Sequence, residues 1–257
     1  MFKTFLMTLV LMVLSLTHAV AQAATYTDHD KSVMLNRFDT VADELYEASV
    51  RTGINMAELT AIASLESKLQ HTVHNKSGYT TAKGMLQYTN RTWKVKRDEY
   101  AQALGIPSNA HQYNLRANLL IGSKDLQDIK EFLVENTHVE THNLRLGDVY
   151  MAHFLGENGA MRLLNSYSHK PMNQIVKIHP GNKRYYYKPN GQIRTAREFR
   201  NFMDEIAKRE AKVYEQAIME YQVAKLFKPF NDIYDAFKQP SSTMLAIRES
   251  MVPQDFG

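Results

Sequence analysis

Within ELTAIASLESKLQ, residues 58–70, one carboxylate stands where an aliphatic side chain is expected. At the helical period Leu59, Ile62, Ala63, Leu65 and Leu69 form an apolar stripe, and Glu66 projects from near its middle. Loss of hydration penalises the charged form, so a carboxyl in such a place has a raised pKa and is a candidate proton donor. A structural ion pair with a core-facing Arg or Lys would occupy the same position. Gln87, at the end of AKGMLQ (82–87), sits at a loop-to-helix junction, where binding groups concentrate. Tyr150 and His153 lie three apart on one helical face, and a buried histidine bonded to backbone is as good a reading of His153 as a ligand contact. In Tyr185, Tyr186 and Tyr187, alternation along an extended segment sends the middle ring to the opposite side from its neighbours. HVETH, residues 138–142, has two histidines but a glutamate out of place for H-E-x-x-H, and reads as a connector rather than a zinc site. The sequence contains no phosphate-binding glycine loop and no convincing nucleophilic triad.

The elements that must position these groups are helical. KSVMLNRFDTVADELYEASVRTG spaces Met34, Phe38, Val41, Leu45 and Val50 as one helix ending at Gly53. Asn55 with Glu58 resembles a capping box and opens the helix carrying Glu66, which ends near Leu69. Residues 70–84 read as a polar loop with a short hairpin, and further helices are predicted over about 90–104, 113–135, 147–155 and 158–166. The Pro- and Gly-punctuated segment 168–194 is too long for a simple connector and reads as a functional loop. TARE, residues 195–198, caps a long helix that is expected to stop at Pro229.

The chain of 257 residues is long enough to bury a full core. Residues 1–24 combine Lys3, an apolar run to Leu16 and small residues at Ala19, Ala21 and Ala23, the pattern of a secretory signal peptide. Removing them takes one lysine and no acid, lowering the formal charge from +4 to +3. That charge is mild and forms no dense basic run, which argues against nucleic acid as a partner. With no cysteine there is no disulfide framework, and stability rests on the core. The expected organisation is a signal peptide at 1–24, a domain at 25–202, a helical extension at 203–237 and a tail at 238–257.

Glu66-Ser67 on a helix, a loop ending in A-x-G-M-L-Q and a helix bearing Thr92-Trp93 together resemble the lysozyme-like domain of soluble lytic transglycosylases. GMLQYTNRTW is similar to the phage-type members. NLRANLLIGSKDL, with Asn118 and Gly122, resembles the family's N-x-x-x-G helix, YMAHFLGENGA (150–160) its tyrosine-bearing helix, and NKRYYYKPNGQIRTAREF its closing strand-like loop, so the likeness runs from about 33 to 202. The resemblance implies a mainly α, two-lobed lysozyme-like body with a saccharide groove and Glu66 as general acid. The implied reaction cleaves the bond between N-acetylmuramic acid and N-acetylglucosamine of peptidoglycan in the periplasm, forming 1,6-anhydromuramic ends without cofactor or metal. Ser77, Met85, Gln87, Tyr150, His153 and Tyr186 are the implied substrate-binding residues, the Gln87 amide suiting a sugar hydroxyl or N-acetyl group. AHFLG at 152–156 departs from the common A-Y-N-A-G and puts His153 where a tyrosine usually stands. A hydrolytic muramidase on the same fold would need a second carboxylate, for which Asp98, Asp148 and Glu157 are available. A non-catalytic wall-binding component, with the helix after Thr195 docked on a partner, is the reading from a different class. An exported enzyme of this kind would serve a phage, conjugation or secretion apparatus, or ordinary wall turnover.

Overall fold

The computed structural model describes residues 26–74 and 80–238, with residues 229–238 as backbone only. The signal-peptide reading, Ser77 and the tail beyond Lys238 lie outside the described residues. These residues are mainly helical and contain no β-strand, and the expected hairpin is reduced to the isolated bridges His74–Lys83 and Lys83–Tyr88. Among the described residues no helix is long and apolar enough to cross a membrane.

Helix α1 (Asp28–Asp39) starts at a capping box between Thr27 and Asp30. It does not run on into α2 (Ala42–Thr52), contrary to the single helix expected. The Thr40 N–H and hydroxyl both turn back onto the carbonyl of Arg37 and interrupt the helix; Phe38, Val41 and Leu45 are buried and Val50 is exposed. Gly53 ends α2 at φ 78°, a left-handed conformation that glycine adopts without strain.

Asn55 accepts the N–H groups of Ala57 and Glu58 and so caps α3 (Met56–Ser67). The Glu58 side chain pairs with Lys130 instead of closing the box. Helix α4 (Asn90–Tyr100) is capped by Thr89. The central element is α5 (Leu115–Asn136), which buries Leu119, Leu120, Ile121, Leu126, Ile129 and Leu133 and packs against α2, α4, α6 (Leu146–Leu155) and α7 (Glu157–Leu164). After 3₁₀ turns at Met172–Gln174 and Pro180–Asn182 comes the short α8 (Lys183–Tyr186). Helix α9 (Ala196–Lys238) begins at the Thr195–Glu198 capping box, in which the Thr195 N–H donates to Glu198 Oε2 at 2.9 Å. It passes through Pro229 instead of stopping there, because a proline removes one hydrogen bond and kinks a helix without necessarily ending it.

The chain divides into two compact units, 1–215 and 216–257. In the first, α9 contributes buried Phe199, Met203, Ala207 and Tyr214. The second is described as the continuing helix, with Met219, Val223 and Leu226 exposed.

Candidate active site

Helix α3 presents Glu66 in its last turn, one residue before its end. The chain then takes two successive left-handed residues that are not glycine, Lys68 at φ 54° and Leu69 at φ 58°. Such residues cost on the order of 1–3 kcal/mol each and persist only where their surroundings over-determine them. Here Arg37 Nη1 donates to the Lys68 carbonyl at 3.2 Å, Leu69 is buried, and Lys68 Nζ lies 2.9 Å from the fully buried Glu210 carboxylate of α9. Ser64 and Tyr26 also donate to Glu210, so the end of α3 is tied to both the N-terminal segment and α9.

The half-buried Glu66 lines a cleft of about 780 Å³ together with Gln87, Tyr150, His153, Phe154, His179, Arg184 and Tyr185. Burial pushes its carboxyl above the ordinary range, an effect only partly offset by nearby His153. The negative end of the α3 dipole disfavours the carboxylate further. Neither a hydrogen bond nor an ion pair reaches Glu66 among the described residues, so the structural ion pair considered from sequence has no partner there. Among the described residues Glu66 is also the sole carboxylate in the wall of this cleft.

Loop 84–88 places Gln87 in the wall of the same cleft, and its docking on α5 and on the turn before that helix depends on absent side chains. At Gly84, with φ 81°, a Cβ would lie 2.2 Å from the Gln112 carbonyl oxygen, and at Gly122 a Cβ would lie 2.0 Å from Leu86 Cδ1. Asn118 fastens the loop by accepting the Leu86 N–H at 2.9 Å and donating to the Gln112 carbonyl at 2.9 Å. The Gln87 backbone is left-handed, at φ 49°, and its Nε2 donates to the carbonyls of Val73 and Gly84. Only Oε1 of that amide is left for other work, so Gln87 braces the loop as well as lining the cleft.

His153 holds a defined tautomer if neutral: Nε2 donates to the Leu86 carbonyl at 3.1 Å, and the ring stands edge-on to Tyr88, with centroids 5.3 Å apart. The Tyr88 hydroxyl donates to Asp125 at 2.7 Å, and Asp125 is also paired with Lys96 at 2.7 Å. Burial and then the Asp125 charge hold the Tyr88 phenol well above its usual pKa, so it stays neutral. Tyr150, almost wholly buried, lines the cleft, as does Tyr185. Burial, then the proximity of Glu66, keeps the Tyr150 phenol protonated.

Two expected site residues stand elsewhere. Met85 is fully buried, its sulfur accepting a hydrogen bond from Ser67 at 3.3 Å, so it packs behind the cleft instead of lining it. Tyr186 is also buried, stacked on Phe199 with centroids 5.1 Å apart, and burial raises its pKa to about 12. Tyr185 stands in the cleft wall and Tyr186 faces away from it, although residues 183–186 form a helical turn and not an extended segment. Arg184, His179 and Phe154 were missed as site residues; for the first two, the Pro- and Gly-rich character of 168–194 was the available signal.

His138 pairs with Asn165 and His142 with Glu140, around a 3₁₀ turn at Thr141–Asn143, so the two histidines do not share a helical face. Among the described residues no cluster of three His, Cys, Asp or Glu could hold a metal ion. Of the proposed second carboxylates, Asp98 is engaged by Lys94 and Arg97 and fully buried Asp148 by Arg200, while Glu157 lines an adjoining cleft of about 280 Å³. No protein-family model matches the chain.

Proposed function

We propose that the chain is an exported peptidoglycan lytic transglycosylase with a two-lobed, lysozyme-like body, and that Glu66 is its general acid and base. One observation carries the reading: among the described residues the cleft wall has a single carboxylate, half-buried, unpaired and raised in pKa. Protonated Glu66 donates to the glycosidic oxygen as the bond to the muramic anomeric carbon breaks. The substrate's own N-acetyl group holds the positive charge developing at that carbon. The Glu66 carboxylate then takes the proton from the muramic C6 hydroxyl, whose oxygen bonds to the anomeric carbon and closes the 1,6-anhydro ring. No water is consumed and Glu66 is returned protonated. A glycosidase that hydrolyses with retention or inversion ordinarily uses two carboxylates, about 5 Å or about 6.5–9.5 Å apart, flanking the bond. Intramolecular attack needs only a sugar held in the reactive conformation, since effective molarity then favours it over solvent.

Mass spectrometry of purified peptidoglycan digested by the protein tests this, with Glu66→Gln as control. The expected products are 1,6-anhydromuramic ends lacking one water, and the variant is expected to lose about 10²- to 10⁴-fold in rate. Reducing muramic ends carrying oxygen from labelled water would instead establish a muramidase. Activity of Glu66→Gln within about threefold of wild type, under 1 kcal/mol of barrier, would remove Glu66 from the chemistry.

A further inference from the structure

Arg51, Arg97, Arg116 and Arg200 all pair with carboxylates, but no carboxylate pairs with Arg184 among the described residues. Its side chain is nonetheless oriented. The guanidinium lies 4.9 Å from the Tyr185 ring centroid, and Nη2 donates to the Tyr185 hydroxyl at 3.1 Å. Tyr185 is itself held by packing on Phe154, with centroids 4.9 Å apart, and on Phe202, at 6.3 Å. The result is an exposed cation on an aromatic ledge in the wall of the Glu66 cleft.

A guanidinium has a planar fork of N–H groups that matches a carboxylate, and an arginine resting on a ring loses less freedom when it binds one. The sugar rings of a wall glycan are neutral, and the carboxylates belong to the substituent on the muramic sugar. That substituent supplies a carboxylate in two ways: directly, when its lactyl group is free, or through an attached peptide, when the lactyl group is an amide. We propose that Arg184 is a specificity-determining residue that binds a carboxylate of this substituent and so distinguishes muramic glycan from neutral polymers of the same backbone. The proposal rests on the reading of the cleft as a glycan site.

The test uses the full chain carrying Glu66→Gln, so that ligands are bound and not consumed, with and without Arg184→Gln, in calorimetric titrations. The ligands are a neutral N-acetylglucosamine oligomer, a peptide-free muramic oligosaccharide, the same oligosaccharide with its lactyl carboxyl amidated, and a peptide-bearing one. Arg184→Gln is expected to weaken binding of the peptide-free oligosaccharide about tenfold, the scale of one hydrogen bond to a charged group, and to leave the neutral oligomer unchanged. If the effect appears only with the peptide-bearing ligand, the carboxylate read is the peptide's, and amidation of the lactyl group will have no consequence. Arg184→Lys should recover part of the affinity, since it keeps the charge and loses the fork. Equal weakening of neutral and carboxylated ligands, or no weakening of any, would overturn the role of Arg184 while leaving the glycan reading intact. Failure of the Glu66→Gln parent to bind any of the four would overturn both.

Discussion

At the scale of single residues, Glu66 concentrates the consequences of position. It is half-buried in the cleft wall, stands at the negative end of α3 and has no cation paired with it among the described residues. All of these favour the neutral acid. If Glu66 must be protonated to act, activity should fall on the alkaline side as pH rises through its raised pKa, and this limb should be absent from the residual activity of Glu66→Gln. The same shift has a sign in stability. Between the ordinary carboxyl pKa and the raised one, the folded state binds more protons than the unfolded state, so stability declines with pH across that window. Glu66→Gln should therefore melt higher than wild type at neutral pH, with the difference disappearing below the ordinary carboxyl pKa. Thermal melts of both proteins across that range check this, and a variant less stable at pH 7 would contradict it.

At the scale of elements, the cleft exists because a loop docks closely on a helix. Gly84 permits this docking twice over, by its left-handed backbone and by leaving room for the Gln112 carbonyl, a backbone atom that cannot swing aside. Gly84→Ala should cost at least about 2 kcal/mol, combining backbone strain with overpacking, as read by urea denaturation. It should also displace Gln87 and lower turnover in the fraction that remains folded. The contact at Gly122 is with the end of a leucine side chain, which can rotate, so Gly122→Ala should cost less. The sequence motif that unites Gly84, Gln87, Asn118 and Gly122 is thus a description of one docking surface. Its members are separated in sequence and cannot be explained one at a time.

Across the first compact unit, buried ion pairs tie distant segments together. Arg200 of α9 donates through Nε and Nη2 to the two oxygens of fully buried Asp148, each at 2.7 Å, and Asp148 also accepts the Arg145 N–H that opens α6. Removing one charge from such a pair strands the other, and Asp148→Asn should cost about 3–5 kcal/mol. Because Asp148 is spent on this contact, the variant protein that folds should still yield anhydromuramic ends. A switch to reducing ends would show that Asp148 takes part in the chemistry. Denaturation curves and product spectra of the same preparation separate the two results.

Much of the helical framework was legible because it is local. Asn55, Thr195 and Gly53 act within a few residues of themselves, and the amphipathic periods around Leu119 and Phe199 reflect which face each helix buries. The anomaly of Glu66 was legible for the same reason, as a charge on an apolar stripe. What the tertiary structure decided depended on partners far along the chain. Tyr185 and not Tyr186 enters the cleft, with Tyr186 stacked on Phe199 of α9. Met85 withdraws behind α3 to meet Ser67, and the amide donors of Gln87 go to carbonyls of its own loop. Spacing states which side chains can share a face, but which of them meets solvent, substrate or core is set by long-range packing.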